Sequence, residues 1–138
     1  MRNDRPLPNR IQSLNMYPQG ATLALVFKIV AEDAWHLALA AGQFSGSADD
    51  VRDGFIHLST AKQLDQTLSR HFKGQRGLLA VAYDADALSP HLRWEMSRSG
   101  ELYPHLYAPL PTGAALWQRA VPIGPNGEPA IEDDWRRC

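Results

Sequence analysis

The sequence predicts an α+β fold: one small domain with two main helices towards its N-terminal side and a strand-rich C-terminal half. Three observations carry that prediction. A length of 138 residues bounds the chain to one hydrophobic core. Helical patterns fall early, at residues 31–41 and 60–73. Beyond residue 78, continuous apolar runs and strict alternation replace the helical period.

The elements follow in order. Residues 1–22 are rich in Pro, Asn, Gln and Arg, lack periodicity, and are expected to form a flexible extension. The globular domain is expected over 23–124. It opens on Leu23 to Val30, an apolar run interrupted only by Lys28, which predicts a central strand. The segment from Ala31 to Ala41 has acidic residues in its first turn and Gly42 as its stop, the signature of a helix. Residues 42–54 hold Gly, Ser and Asp in a loop pattern and lead into a short strand around His57. Thr60 and Gln63 have capping-box spacing, with Ser59 as a competing cap, ahead of Ala61, Leu64, Leu68 and Phe72. Lys73-Gly74 ends that second helix.

Leu78 to Tyr83 is apolar throughout and predicts a strand buried on both faces. Asp84 to Pro90 has the composition of a turn or one short helical turn. In Leu92–Ser97 the alternation predicts Leu92, Trp94 and Met96 inward and Arg93, Glu95 and Ser97 outward. Tyr103–Tyr107 alternates too, with Pro104 arguing for an edge strand or extended loop. Leu116–Ile123 is the last strand, and residues 125–138 are expected to be a polar tail.

A formal charge of −1 and an apolar content of 44% describe an ordinary globular chain. They remove the electrostatic argument for a nucleic-acid or membrane partner. Arg70, Lys73 and Arg76 suit a solvated helix end. The single cysteine, Cys138, permits no internal disulfide. Residues 1–20 contain no apolar stretch of the kind a secretory signal needs, and no run is long enough to span a bilayer. The expected location is therefore cytoplasmic.

The chemistry centres on Asp53-Gly54-Phe55-Ile56-His57-Leu58-Ser59-Thr60. Phe55, Ile56 and Leu58 suit a half-buried strand, so His57 sits where burial normally selects against an imidazole. It is either a ligand contact beside a helix N-terminus or a core ring satisfied by a carbonyl. His71 flanks the apolar face of its helix, whereas His36 and His91 are expected at the surface. His91 with Glu95, and Glu101 with His105, are four apart in extended segments, roughly 13 Å, too far to share an ion. A metal site drawn from His57, His71 and His105 therefore has ligand types but no supporting spacing. Glu95 belongs either to a solvated strand face or to a cleft where a carboxylate meets ribose. Tyr103 and Tyr107 flank His105 and offer a stacking wall. Gly42, Gly46 and Gly54 do not form a dinucleotide fingerprint, and Ser59 lacks a nucleophile-elbow context.

Lys28-Ile29, the 53–60 segment, Arg70-His71-Phe72, Trp94-Glu95 and Gly100-Glu101-Leu102-Tyr103-Pro104-His105-Leu106-Tyr107 together resemble one family. It is the small bacterial and plant proteins grouped as domain of unknown function 952, and the resemblance covers about residues 24–123. It implies an ADP-ribosyltransferase-like fold, with NAD or a related nucleotide clamped between two small sheets. The His57-Leu58-Ser59 word is also similar to one in the RNA 2′-phosphotransferases of that superfamily. The implied activity is transfer or hydrolysis of ADP-ribose, with NAD as the substrate; the residues themselves specify no cofactor. In that reading His57 holds the ribose and Glu95, in competition with Glu101, stabilises charge at the ribose carbon. Tyr103 or Tyr107 packs on a ring, and Ser59, Thr60, His71 and His105 complete the ligand-binding set. Two other classes compete: a non-catalytic ligand-binding or interaction domain, and a metal-dependent hydrolase using His57, His71 and His105.

Overall fold

A computed structural model describes residues 24–131. The apolar run at the start becomes β1 (Leu25–Ala31), antiparallel to β4 (Leu78–Asp84) in a register running from Leu25↔Asp84 to Ala31↔Leu78. The last strand, β8 (Trp117–Ala120), pairs with the other edge of β4, giving the order β1-β4-β8. Every residue of β4 from Leu78 to Tyr83 is buried, as its unbroken apolar sequence requires. Val81 and Tyr83 join one core cluster with Val26, Trp35 and Phe44. Ala80 and Ala82 join a second with Phe27, Leu64 and Leu68 on the opposite face. Helix α1 (Glu32–Ala41) buries Trp35 and Ala38 on the first face, and the indole Nε1 donates to Gln118 Oε1 at 2.7 Å.

A second sheet carries His57, Glu95, Tyr103 and His105, four of the residues singled out from sequence. Its order is β3 (Ile56–His57), β6 (Leu102–Leu106) and β5 (Leu92–Met96), all antiparallel. A two-residue pair, β2 (Gln43–Phe44) with β7 (Leu110–Pro111), makes a third small sheet. The first two sheets are stitched where Phe27 and Ser59 exchange backbone hydrogen bonds of 2.8 and 2.9 Å. The result is a small α+β domain of several antiparallel sheets and few helices. Among the described residues, no helix is long and apolar enough to cross a membrane.

Five expectations need correction. The 42–54 loop contains helix α2 (Ala48–Asp53), closed by a reciprocal capping box between Ser47 and Asp50 that the Asp-rich composition conceals. The second main helix is shorter than 60–73: a 3-10 turn (Ala61–Gln63) precedes α3 (Leu64–His71). Pro104 lies in the central strand of its sheet, not at an edge. The carbonyl of Pro104 accepts from Leu58 N–H at 3.1 Å, so its missing donor faces the side where β3 has already ended. Leu92 packs against the first core cluster as expected, but Trp94 and Met96 are 45% and 65% exposed, so the apolar stripe of β5 leaves the core after its first residue. Alternation fixes which residues share a face but not which face is covered. Finally, the chain beyond 124 turns back through a bridge between Ile123 and Pro129 and buries Ile131 in the second core cluster. Residues 1–22, expected as an extension, lie outside the described residues, as do 132–138 of the expected polar tail.

Candidate functional site

Gly54 adopts the left-handed conformation (φ 86°) that stops α2 and swings the chain directly into β3. That turn brings both ends of α2 against the His57 ring. Asp50 sits behind it, with Oδ1 2.6 Å from His57 Nδ1 and accepting from His57 N–H at 3.0 Å. The other oxygen, Oδ2, accepts from Lys28 Nζ at 2.9 Å and from Ser47 N–H at 2.8 Å. Each carboxylate oxygen is thereby satisfied twice, which a fully buried anion needs. Lys28 is also buried and donates to the His57 carbonyl at 3.1 Å. Burial alone would raise the Asp50 carboxyl, but His57 and Lys28 overcome it and hold Asp50 well below the usual carboxylate range. Burial lowers the Lys28 ammonium, with Asp50 opposing the shift.

On the opposite side of His57, Nε2 lies 2.9 Å from Asp53 Oδ2. Asp53 is half-exposed and held below its ordinary range first by its hydrogen bond from Arg52. Both ring nitrogens of His57 thus face carboxylate oxygens, Asp50 at Nδ1 and Asp53 at Nε2.

His105 is the direct cross-strand neighbour of His57, and their ring centroids are 5.7 Å apart. Its Nδ1 lies 2.7 Å from Glu95 Oε1, which also accepts from Tyr107 Oη at 2.6 Å. Those two hydrogen bonds, Tyr107 first, hold Glu95 below its ordinary range. Glu95 is therefore an acceptor, and His105 Nδ1 carries the proton. The other nitrogen, Nε2, has no partner among the described residues. Phe55 stacks on His105 (centroids 4.0 Å, planes 21° apart) and leans on His57 and Tyr107 at 4.7 and 5.4 Å. One aromatic ring thus fixes the spacing of both imidazoles.

In front of these rings opens a cleft of about 220 Å³. His57, Ser59, His71, Tyr103 and His105 all line it, together with Lys28, Asp53 and Arg70. The structure therefore gathers five of the eight residues singled out from sequence. The other three stand outside. Thr60 is an N-cap residue, its N–H donating to Gln63 Oε1 at 3.0 Å. Glu95 and Tyr107 form the support behind His105, and Glu95 does not face the cleft as expected. Ser59 is buried, with Oγ 2.7 Å from Thr67 Oγ1. His36 and His91 are exposed at the surface, as expected. Among the described residues, no group of three or more His, Cys, Asp or Glu is arranged to hold a metal ion, so the three cleft histidines do not converge.

Sequence reasoning missed Lys28, Asp50, Asp53 and Phe55. Lys28 did carry a signal, as the one charge inside an apolar strand. Asp50 carried another, three residues after Ser47. Phe55 offered none, since an aromatic beside a strand reads as core.

Among solved structures, the chain is similar to protein CC0527 from Caulobacter crescentus. The X-ray structure matches with a TM-score of 0.78 at 38% identity, covering 83% of this chain and 99% of that one. The solution NMR structure of the same protein matches with a TM-score of 0.72 at 39% identity, covering 80% and 95%. No curated protein matches the sequence. These likenesses lend no support to the expected ADP-ribosyltransferase relationship. The sequence pattern of the group described as protein of unknown function (DUF952) matches residues 29–118, and the chain belongs to that family.

Proposed function

We propose that the cleft binds the ribose-bearing portion of NAD or a related nucleotide. The observation that supports this most is the joint presence, around one opening, of two supported imidazoles, a tyrosine ring, a half-exposed carboxylate and the Arg70 guanidinium. Hydroxyl-rich sugars are held by carboxylates and imidazoles, bases by aromatic faces, and phosphates by guanidinium groups. Tyr103 and His71 would flank the ring system, Asp53 and His57 would take ribose hydroxyls, and Arg70 would meet phosphate.

Size sets a limit on this reading. Sites for drug-sized ligands run roughly 300–1,000 Å³. At about 220 Å³ the cleft takes one nucleoside-sized unit, and the remainder of a dinucleotide would lie over its rim. If ADP-ribose chemistry occurs here, the carboxylate placed to stabilise a cationic ribose carbon is Asp53, because Glu95 is turned towards His105 and Tyr107.

The test is calorimetric titration of the full chain with NAD and with AMP, beside a nicotinamide-release assay. Saturable binding lost in His57→Ala supports the reading. Nicotinamide release lost in the same variant extends it to ADP-ribose transfer or hydrolysis. Binding without release leaves a non-catalytic nucleotide-binding domain. No binding of either nucleotide overturns the proposal.

A further inference from the structure

The two imidazoles differ in a way that assigns them opposite proton-transfer roles. His105 presents an Nε2 with no partner among the described residues, while its Nδ1–H is committed to Glu95. A neutral ring anchored in that manner has its lone pair on the free nitrogen and accepts a proton there. His57 lies between two carboxylates, with Asp50 Oδ1 2.6 Å from Nδ1 and Asp53 Oδ2 2.9 Å from Nε2, so each ring nitrogen faces an acceptor that suits a donated proton. The Asp50 side is buried and fixed, whereas the Asp53 side is half-exposed on the rim of the cleft. A ligand oxygen that replaces Asp53 at Nε2 would receive that nitrogen's proton. Phe55, in contact with both rings, holds base and acid at a constant separation.

We propose that the protein hydrolyses a nucleoside 2′,3′-cyclic phosphate, with His105 as general base and His57 as general acid. This rests on the nucleotide reading of the cleft and adds a reaction to it. A cyclic phosphodiester suits the site for two reasons. It is one nucleoside in size, as the cleft volume requires. Its five-membered ring is strained, so an acid and a base in the right places suffice to open it.

The step balances with water as co-reactant. His105 Nε2 takes a proton from water as the water oxygen forms a bond to phosphorus. The bond from phosphorus to one ribose oxygen breaks, its electron pair stays on that oxygen, and His57 Nε2 supplies the proton. The product is a ribose phosphate monoester. Return of the proton from His105 to His57 through solvent restores the starting state. Glu95 and Asp50 touch no reacting atom and act as positioning residues.

The experiment gives the full chain adenosine 2′,3′-cyclic monophosphate and follows adenosine monophosphate by chromatography, with and without chelator. Turnover that resists chelation is expected. His105→Asn and His57→Asn each keep an amide near the Nδ1 position and remove only the cleft-facing nitrogen. Each is expected to lower kcat by about 100-fold or more. Thermal melts of both variants, with His105→Gln and His57→Gln as replacements for any that fails to fold, separate lost chemistry from lost structure. No product from the wild type overturns the inference; if AMP still binds calorimetrically, the nucleotide reading stands, and if it does not, both fall. Product that disappears on chelation, or that persists at the wild-type rate in a folded variant of either histidine, also overturns it.

Discussion

His57 and His105 face each other across one antiparallel strand pair, yet the carboxylates behind them sit in opposite surroundings. Asp50 is buried, meets two donors at each oxygen, and is tied through Lys28 to the central sheet. Glu95 is on an edge strand, 38% exposed at its side chain, and is held by one imidazole and one phenol. In the same chemical unit, a histidine backed by a carboxylate, the carboxylate is therefore part of the core on one side and of the surface on the other, while the rings run the opposite way, His57 at 38% and His105 at 13% exposure. Burial makes the first unit rigid and costly to damage. Exposure leaves the second replaceable in stability terms, so its substitutions report on chemistry with little interference from folding.

The largest expected effect comes from breaking the buried unit. Lys28→Met removes a cation that is 5% exposed and leaves Asp50, 3% exposed, with only the His57 ring and two backbone amides as partners. Loss of one partner from a buried pair costs about 3–5 kcal/mol. A fall of that size in chemical denaturation is expected, with Asp50→Leu comparable. The double variant Lys28→Met/Asp50→Leu is expected to lose much less than the sum of the two, since no unpaired charge remains. Additive losses would show that Lys28 and Asp50 are not coupled as the 2.9 Å contact implies.

A smaller disturbance of the same unit is available at Gly46, whose φ of 119° few other residues tolerate. A Cβ placed there would stand 2.9 Å from Asp50 Cβ. Gly46→Ala is expected to cost about 1–3 kcal/mol and to weaken the nucleotide binding proposed for the cleft by displacing the carboxylate behind His57. Unchanged stability in a urea titration would mean that the α2 entrance adjusts without moving Asp50. An equivalent substitution at Gly100, in the hairpin beyond β5, also meets a positive φ, but no atom lies within 4 Å of its added Cβ. Its effect should be confined to the local backbone cost and leave binding intact.

How far the sequence announces this arrangement depends on whether a signal is local. The unbroken apolar run of β4 and the Gly42 stop of α1 were legible because period and punctuation are properties of adjacent residues. The histidine at β3 was legible for the same reason, as a polar group in an apolar word. Asp50 was not, because its meaning comes from Lys28, 22 residues away, and from the turn at Gly54. Glu95 was located on the right strand face but given the wrong view. Alternation places it on one face with Arg93, while only its diagonal neighbour on β6, His105, ten residues on, shows that its carboxylate is turned towards an imidazole.

Acid provides a third probe of the buried unit, acting on the titration of Asp50. In the unfolded chain this carboxyl has its ordinary value of 3.8, and in the fold it is lower. The folded state therefore binds fewer protons, so stability rises with pH through this window. The contribution is complete above the unfolded value and is lost as pH falls from there towards the folded one. Denaturation midpoints measured from neutral pH down through 3 are expected to drop more steeply for the wild type than for Asp50→Asn. Parallel curves would mean that Asp50 titrates normally and that the Lys28–Asp50–His57 chain is weaker than its distances suggest.

The smallest structural effect, and the sharpest contrast, is expected from Glu95→Gln. The amide oxygen can still accept from Tyr107 or His105 but carries no charge, and the site is open to water, which screens the loss. Thermal stability should therefore change far less than in the Lys28 and Asp50 variants. The consequence lies with His105: a neutral amide no longer compels Nδ1 to be the protonated nitrogen, so the tautomer that exposes a lone pair on Nε2 is less strongly enforced. Nitrogen-15 spectra of the imidazoles are expected to show the Nε2-protonated form of His105 rising in the variant while the His57 signals keep their wild-type pattern. Movement of both histidines together would mean that Phe55 couples the two units more tightly than their separate carboxylates divide them.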